Sequence, residues 1–268
     1  MKRLTLLCCT LLALAGLFVS VATAADTLDE IKARGVLRVG MEPGYMPFEL
    51  VNQKGEIIGF DVDMAKRMAK ALGVKLELVS TAWDGIIPSL ITGKFDVIMS
   101  GMTVTEERAK TVDFANPYII IGQTVLIRKD LAKKIRSYKD LNAAEYKISS
   151  KLGTTGEFAA KEMIPKAKYF SYETEHEALM ELVNGKIDAF IYDAPYNAVA
   201  FAEKGQGKLV FLDKPFTEEP LGWAVRKGNP QFVAWLNDFL AKSKADGSYD
   251  KIYKKWFKDT SWLKEKGK

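Results

Sequence analysis

Apolar residues recur along the chain at helical spacing in some segments and in short unbroken runs in others. The segment 60–72 carries an apolar residue at every fourth position: Phe60, Met64, Met68 and Leu72. This spacing predicts a helix with one buried face. Gly73 follows directly and predicts the end of that helix, because glycine adopts the left-handed conformation of a C-cap without strain.

Short apolar runs between the helical segments predict strands. Three of them are Val36–Gly40, Lys75–Val79 and Phe95–Met99. A second helix is predicted over Gly85–Thr92, with Asp84 as its cap and Pro88 in the first turn, where proline is tolerated. Strands that alternate with helices favour an α/β fold with mostly parallel sheets.

One arrangement occurs twice, at Ile91–Met99 and at Val183–Ile191. In each copy a helix ends at Gly, then Lys and Asp flank an apolar residue, and an apolar strand follows. The first copy leads to Ser100 and the second to Asp193. Two such units predict two similar lobes, since arrays of structural repeats use shorter and more numerous units. The alternative is a chance similarity between two common helix–strand junctions.

Two lobes of this kind would share one crevice. In open α/β sheets ligands bind beyond the carboxyl ends of the strands, so facing strand ends enclose a ligand from both sides. We expect the chain to cross between the lobes at 117–124 and at 215–221, where Pro and Gly are close by. The predicted division is 25–119 with 221–268 for lobe 1, and 120–220 for lobe 2.

The N-terminus has the order of a secretory signal. A basic start is followed by an apolar stretch over 4–21 and by Ala22-Thr23-Ala24, so residues 1–24 are predicted to be a signal peptide and the mature protein periplasmic. The alternative is an uncleaved membrane anchor. Cys8 and Cys9 both lie in this segment, which leaves the mature chain without disulfides. Leu6 and Leu7 before Cys8 disfavour lipid attachment, which requires small residues there.

Composition and charge exclude several classes. The chain has 268 residues, of which 48% are hydrophobic and 27% charged, an ordinary globular composition. Without Lys2 and Arg3 its 39 basic residues fall to 37, against 34 acidic ones. That net charge is too small to indicate a nucleic-acid partner. The single histidine, His176, cannot form a zinc site alone. We therefore predict no metal, no cofactor and, without enzyme motifs, no catalytic residue.

Two segments, one after a predicted strand and one at a predicted helix start, carry groups that suit a carboxylate. The first contains hydroxyl and glycine residues, namely Ser100, Gly101 and Thr103. Arg108 comes next, and its planar fork of donors matches a carboxylate in two bonds. The other group is Thr154 and Thr155, whose free N–H groups at a helix start attract an anion. A plain helix cap is the alternative for that pair.

Aromatic and acidic residues follow other strands. Tyr45 lies in the loop after the first strand, and Trp83 lies just before the second helix. Both are expected at the ligand edge, where aromatic rings can sandwich an apolar or cationic side chain; core packing is the alternative. Glu42 is a candidate acceptor for an ammonium or guanidinium, or else a solvated loop charge.

The order and spacing of these segments resemble the periplasmic amino-acid-binding proteins of ABC importers, the family 3 solute-binding proteins. The resemblance covers essentially all of the mature chain and rests on residues 44–49, 59–63, 83–90, 93–96, 102–108, 113–118, 153–156 and 246–249. It implies a two-lobed periplasmic-binding-protein fold of type II, with mostly parallel sheets and two hinge crossovers.

The resemblance also implies roles for the groups of the amino acid. Arg108 would hold the α-carboxylate with the backbone at Thr155 and near Thr103. Asp193 would hold the α-ammonium, helped by the Thr103 hydroxyl and by the carbonyl of Gly101, a position where relatives often have serine.

The side chain of the ligand would lie between Tyr45 and Trp83. Glu42 matches a position that is often acidic in relatives that bind basic amino acids. The expected function is a monomer that captures an L-amino acid, with Arg or Lys preferred, and delivers it to a membrane permease. The alternative is a cyclohexadienyl or arogenate dehydratase with Glu173 as its acid.

Overall fold

A computed structural model describes residues 26–264 and 266. The segment 1–24, with Cys8 and Cys9, lies outside the described residues. The α-helices are α1 Thr27–Arg34, α2 Phe60–Leu72, α3 Trp83–Ile91, α4 Glu106–Ala109, α5 Thr155–Met163, α6 Glu175–Val183, α7 Ala194–Ala200, α8 Pro230–Ala245 and α9 Ser248–Tyr253. Among these helices, none combines the length and apolar character that crossing a membrane requires.

The strands are β1 Val36–Met41, β2 Leu50–Val51, β3 Ile57–Ile58, β4 Lys75–Ser80, β5 Val97–Ile98, β6 Val112–Phe114, β7 Ile119–Ile121, β8 Gln123–Arg128, β9 Lys147–Lys151, β10 Lys168–Tyr172, β11 Ala189–Asp193, β12 Leu209–Leu212, β13 Glu219–Leu221 and β14 Ala224–Arg226. Short 3-10 segments occupy Lys129–Leu131, Tyr138–Leu141 and Ser261–Lys264, and π-helical turns occupy Phe201–Gly205 and Lys254–Lys258.

The four-residue periodicity of the sequence forms α2 as predicted. Phe60, Met64 and Met68 are fully buried on one face of the helix. Gly73 ends it with a φ of 70° and donates its N–H to the last turn. The apolar spacing thus fixes which face of α2 packs on the sheet, and the glycine fixes where the chain turns back into β4.

The start of α3 differs from the prediction. Trp83 is the first helical residue and Ala82 is the N-cap, while Asp84 is exposed and makes no cap bond. Pro88 therefore lies inside the helix and not in its first turn. It removes the one intrahelical bond that an N–H at position 88 would donate to the carbonyl of Asp84, four residues earlier.

Two five-stranded sheets share one topology, which confirms the α/β class and the two lobes. Their strand orders are β4-β1-β5-β14-β6 and β10-β9-β11-β8-β12. In each, the first three strands are parallel, and the fourth is antiparallel to both neighbours. In each sheet four of the five strands therefore run in one direction, and only the fourth strand, β14 or β8, runs in the opposite one. The cause is that β8 and β14 each follow a crossing between the lobes and enter their sheet from the opposite end.

The crossings themselves form a two-stranded ribbon. β7 and β13 pair antiparallel, with Ile119 opposite Leu221 and Ile121 opposite Glu219. They lie within the segments predicted to cross between the lobes. The limits of the lobes stay a prediction, for which this paired ribbon is the structural basis.

The repeated aspartate has the same contact in both sheets. Asp96 accepts a hydrogen bond from the backbone N–H of Arg38 at 2.8 Å, and Asp188 accepts one from the N–H of Lys147 at 2.8 Å. Each aspartate thereby ties the loop before one parallel strand to the start of its neighbour. The repeat seen in the sequence is thus a structural device that sets strand register.

The two aspartates differ in what else they contact. Asp96 is fully buried and forms ion pairs with Arg34 and Arg38. The Asp188 side chain is 14% exposed and lies 3.3 Å from one guanidinium nitrogen of Arg128. Loss of Asp96 therefore leaves more groups without a partner than loss of Asp188 does.

We expect Asp96→Ala to lower the free energy of unfolding by about 3 kcal/mol, since it strips a buried acceptor from one N–H and two guanidinium groups. Asp188→Ala makes the matched change in the other lobe and is expected to cost about 1 kcal/mol. Urea unfolding followed by circular dichroism measures both. Equal losses would contradict this account of the first sheet.

Candidate functional site

The carboxyl ends of β1, β5, β9 and β11 face one cleft between the lobes. Every residue singled out from the sequence as a ligand contact lines it. The lining is Glu42, Tyr45, Trp83, Ser100, Gly101, Thr103, Arg108, Lys151, Thr154, Thr155, Tyr192 and Asp193. Lys151 and Tyr192 also line the cleft, and the sequence did not single them out.

Arg108 reaches the cleft from α4, whose N-cap is Thr105. Its guanidinium donates to the carbonyl oxygens of Thr103 at 2.9 Å and Gly153 at 3.2 Å, and lies 5.2 Å from the centre of the Trp83 ring. These partners are neutral. Burial lowers the pKa of Arg108, and the charges of nearby carboxylates oppose that effect. The group remains a cation whose direct hydrogen-bond partners carry no charge.

Asp193 ends β11 and presents the opposite charge from the other lobe. Its carboxylate accepts hydrogen bonds from the Tyr45 hydroxyl and the Gln123 amide. Burial raises the pKa of Asp193 to about 7, although those two hydrogen bonds and the Arg108 charge lower it. Of the charged residues that line the cleft, Arg108 and Asp193 have only neutral hydrogen-bond partners, whereas Glu42 and Lys151 pair with each other.

The loop after β5 is tied from behind by buried carboxyl groups. Ser100 donates its hydroxyl to Glu49 and accepts the N–H of Glu42 at 3.1 Å. The N–H of Gly101 donates to Asp61 at 3.0 Å. The Ser100 hydroxyl is therefore used in bonds within the protein, and these bonds hold the loop in one conformation.

Those two carboxyl groups have no role in the sequence analysis, although both lie in the segments that carry the resemblance. Each is fully buried. Burial raises the pKa of Asp61 to about 7, and burial together with the Asp61 charge raises the pKa of Glu49 well above its usual value. Glu49 and Asp61 thus support the cleft at a cost in desolvation. This role is visible only in the folded structure.

Gly101 is required by the aromatic wall. Its φ is +55°, and a Cβ at this position would lie 2.1 Å from the Cε1 atom of Tyr45. The Tyr45 ring packs on the glycine backbone and from there reaches Asp193. The absence of a side chain at position 101 makes room for this ring.

Glu42 is not the free carboxylate that the sequence analysis expected. It forms an ion pair with Lys151, whose ammonium also donates to Glu175 at 2.8 Å. Burial by itself lowers the pKa of Lys151, but the two carboxylates outweigh it and the pKa is raised. Lys151 ends β9, so its place at the carboxyl end of a strand, the property that singled out Ser100, could also have identified it as a cleft residue.

The remaining contacts close the cleft. Trp83 donates its indole N–H to the Gly153 carbonyl at 3.0 Å, and the Thr103 and Thr155 hydroxyls lie 3.4 Å apart. Thr154 is the N-cap of α5 but makes no side-chain cap bond; its hydroxyl donates to the Lys151 carbonyl at 2.8 Å. The two lobes therefore touch through the same residues that line the cleft.

Two residues of the sequence analysis lie outside the cleft lining. Glu173, the candidate acid, is exposed, and His176 is exposed beside a second, wider groove. The solvated-charge interpretation is the one that fits Glu173, and the rim interpretation fits His176. Within the described part of the chain, no group of three or more His, Cys, Asp or Glu residues is arranged to hold a metal ion.

Comparison with known proteins gives one family. The model of the bacterial extracellular solute-binding proteins, family 3, matches residues 37–259. A "Probable histidine-binding protein" of Neisseria gonorrhoeae is 37% identical over 83% of this chain and 83% of its own length.

Two solved structures are closer in sequence. A putative binding component of an ABC transporter from Wolinella succinogenes, complexed with lysine, is 56% identical with a TM-score of 0.84, over 86% of this chain and 99% of that one. The ancestral amino acid-binding protein AncCDT-1, described as a precursor of cyclohexadienyl dehydratase, is 52% identical with a TM-score of 0.82, over 86% and 99%.

We expect Gly101→Ala to destabilise the protein more than Gly73→Ala does. Both glycines have positive φ, which costs a non-glycine residue about 1–2 kcal/mol. Nothing lies within 4 Å of a Cβ at Gly73, whereas the Tyr45 ring blocks one at Gly101. The clash adds about 1–3 kcal/mol. Urea unfolding of the two variants checks this, and equal losses would contradict the packing of Tyr45 on Gly101.

Asp193 makes stability depend on pH. Between about pH 4 and 7 the folded protein holds a proton that an unfolded aspartate releases, so its contribution to stability is lost as the pH rises through about 7. Asp193→Asn removes this dependence. The stability of the variant relative to the parent should rise from pH 5 to 7 by up to about 1.4 kcal/mol per pH unit.

Calorimetric or urea unfolding at several pH values measures that difference. Asp130→Asn, at a carboxylate whose side chain is 66% exposed, is the matched control and should show no such trend. A difference between parent and Asp193→Asn that stays constant from pH 5 to 8 would contradict the burial of a proton-binding carboxyl group.

Proposed function

This chain belongs to the bacterial extracellular solute-binding proteins of family 3, and on that premise we propose that its cleft captures an L-amino acid for an ABC importer. The proposed site of action is the periplasm, reached by cleavage of the signal segment 1–24. The protein is proposed to act as a monomer that delivers its ligand to a membrane permease, without nucleic acid, cofactor or catalysis.

The observation that carries this proposal is the pair of Arg108 and Asp193, whose charges are opposite once a ligand ammonium lowers the raised pKa of the Asp193 carboxyl group. Arg108 and Asp193 come from different lobes, and the direct hydrogen-bond partners of each are neutral. An α-amino acid carries a carboxylate and an ammonium on the same α-carbon. It can give each protein charge a charged partner at once, which a simple anion or cation cannot.

The contacts of Arg108 support its assignment to the carboxylate. The carbonyl of Thr103 holds one guanidinium nitrogen, and the Trp83 ring lies 5.2 Å away. The planar group is thereby oriented before the ligand arrives, and it keeps further N–H donors for two bonds to a carboxylate. Thr155, at the start of α5, lies on the facing lobe.

The charges of Glu42 and Lys151, which line the cleft, and of Glu175 behind them support a cationic side chain, Arg or Lys. Glu42 and Glu175 carry two negative charges, and Lys151 neutralises one. The remaining negative charge and the Trp83 ring favour a cation. The lysine in the Wolinella protein agrees with this preference, while the name of the Neisseria relative shows that the family also includes other ligands.

Capture follows from closure of two lobes about the β7–β13 ribbon. The lobes already touch through Arg108 and Gly153, and through Trp83 and Gly153. A ligand that contacts Arg108 from one lobe and Asp193 from the other stabilises the closed state over the open one. This differential contact is what makes the hinge respond to the ligand.

The structure does not favour the alternative, a cyclohexadienyl dehydratase, with Glu173 as its acid. Such a reaction needs a general acid in the cleft, and Glu173 is exposed outside the lining residues. The two acids that do line the cleft are already engaged: Glu42 pairs with Lys151, and Asp193 accepts hydrogen bonds from Tyr45 and Gln123. AncCDT-1 is itself described as an amino acid-binding protein. We therefore propose binding without chemical conversion.

The test is a thermal-shift screen with the twenty L-amino acids, comparing the parent with Arg108→Met. We expect lysine and arginine to stabilise the parent most, by about 2.7 kcal/mol at a hundred times Kd. Arg108→Met should weaken binding of every amino acid by about 3–5 kcal/mol, more than a hundredfold in Kd, because the ligand carboxylate loses its partner.

Arg128→Met is the matched control, since Arg128 lies on the other lobe outside the cleft lining and pairs with Asp130. It should bind as the parent does. Equal affinity of Arg108→Met and parent for lysine in calorimetry would show that the site is assigned wrongly. A parent stabilised by no amino acid, but converting prephenate to phenylpyruvate, would favour the dehydratase.

A further inference from the structure

Lys151 occupies a position between the two lobes. It ends β9 in one lobe, and its ammonium lies between Glu42, in the loop after β1 of the other lobe, and Glu175, at the first position of α6. We name these three residues the acid–lysine–acid group. Lys151 is 2% exposed and Glu175 is 3% exposed. A lysine buried to this degree must keep its charge partners, since an unpaired buried ammonium is costly.

The place of the group is built into both lobes. Glu175 is held at the N-terminal end of α6, where the helix dipole favours a negative charge, and Thr174 caps that helix. On the facing lobe, a Cβ at Gly44 would lie 2.6 Å from an oxygen of Glu175. The acid can approach the loop after β1 only because residue 44 has no side chain.

The group also adjoins the part of the cleft assigned to the ligand side chain. Glu42 and Lys151 both line the cleft, and the ammonium lies 6.0 Å from the centre of the Trp83 ring. The Lys151 ammonium thus already contacts the Glu42 carboxylate and lies near the Trp83 ring, the two groups that a ligand cation would use. Any ligand side chain entering here meets a fixed positive charge together with the two acids.

We propose that Lys151 is a specificity-determining residue: it leaves the acid–lysine–acid group with a net charge of −1, and the group therefore selects side chains that carry one positive charge. This inference rests on the proposed function. A monocation completes two positive and two negative charges in a buried site. A neutral side chain leaves one negative charge unbalanced, and an acidic one leaves two.

Two substitutions change this charge in opposite directions. Lys151→Met raises the uncompensated charge from one to two and should strengthen the preference for a cation. Glu175→Gln is nearly isosteric and removes the uncompensated charge, so the preference should weaken. A residue that merely supports the fold would lower the affinity for all ligands alike in both variants.

The experiment is calorimetric titration of each variant with L-lysine and L-glutamine, reporting the ratio of the glutamine Kd to the lysine Kd. We expect this ratio to rise about tenfold or more in Lys151→Met and to fall about tenfold or more in Glu175→Gln, as one unit charge near the ligand changes each time. Matched controls are Lys186→Met and Glu181→Gln, which remove the members of an ion pair on α6 and the loop after it; the Lys186 side chain is 65% exposed.

A ratio that stays unchanged, or that moves in the same direction in both variants, would overturn the role of Lys151 while leaving the proposed function intact. A parent that binds neither amino acid would overturn the proposed function and this inference with it. Lys151→Gln repeats the test should Lys151→Met not fold, and Glu175→Gln decides it alone if neither lysine variant folds.

Discussion

The structure depends on holding two opposite charges, Arg108 and Asp193, partly or wholly out of water with only neutral groups as direct partners. A buried charge is costly without an opposite charge close by. The protein meets part of this cost with hydrogen bonds: carbonyls and an aromatic ring for the cation, a hydroxyl and an amide for the anion. The pKa of Asp193 stays raised, which shows that these hydrogen bonds do not offset the whole cost of burying its charge.

Most other features position these two charges. Each central sheet ends its parallel strands at the cleft, and the paired crossovers keep both sets of strand ends facing each other. Gly101 admits the Tyr45 ring, which carries its hydroxyl across to Asp193. Glu49 and Asp61 hold the loop around Gly101 from behind, at the expense of two more buried carboxyl groups. Stability is given up at several points for one geometry, as is usual at binding sites.

What the sequence can predict follows from how local the cause is. The helix α2 and its end at Gly73 depend on spacing and on one residue's backbone freedom, and both are confirmed. The groups after strand ends could be named because a parallel sheet brings those ends to one edge. The direction of β8 and β14 could not be predicted, because it depends on where the chain crosses between the lobes and not on the strands themselves. The start of α3 was wrong because Asp84 resembles a cap but the chain turns into the helix before it.

Charge pairing across the cleft is the other property that spacing does not show. Glu42 and Lys151 are 109 positions apart and meet only when the lobes close. A similar argument applies to Tyr45 and Asp193, 148 positions apart. Each residue was recognisable as polar and at a strand end, but whether it would meet a ligand or another residue depends on the relative position of the two lobes.

The same pairs set a condition on any ligand. In the closed arrangement Tyr45 contacts Asp193, Arg108 contacts Gly153, and Lys151 contacts Glu42. A ligand gains only the difference between its own contacts and those that the lobes make with each other. A lone anion can improve the surroundings of Arg108 but not those of Asp193, and a lone cation the reverse. Only a molecule that carries both charges a short distance apart improves both, so the self-contacts of the closed cleft act as a filter that favours zwitterions.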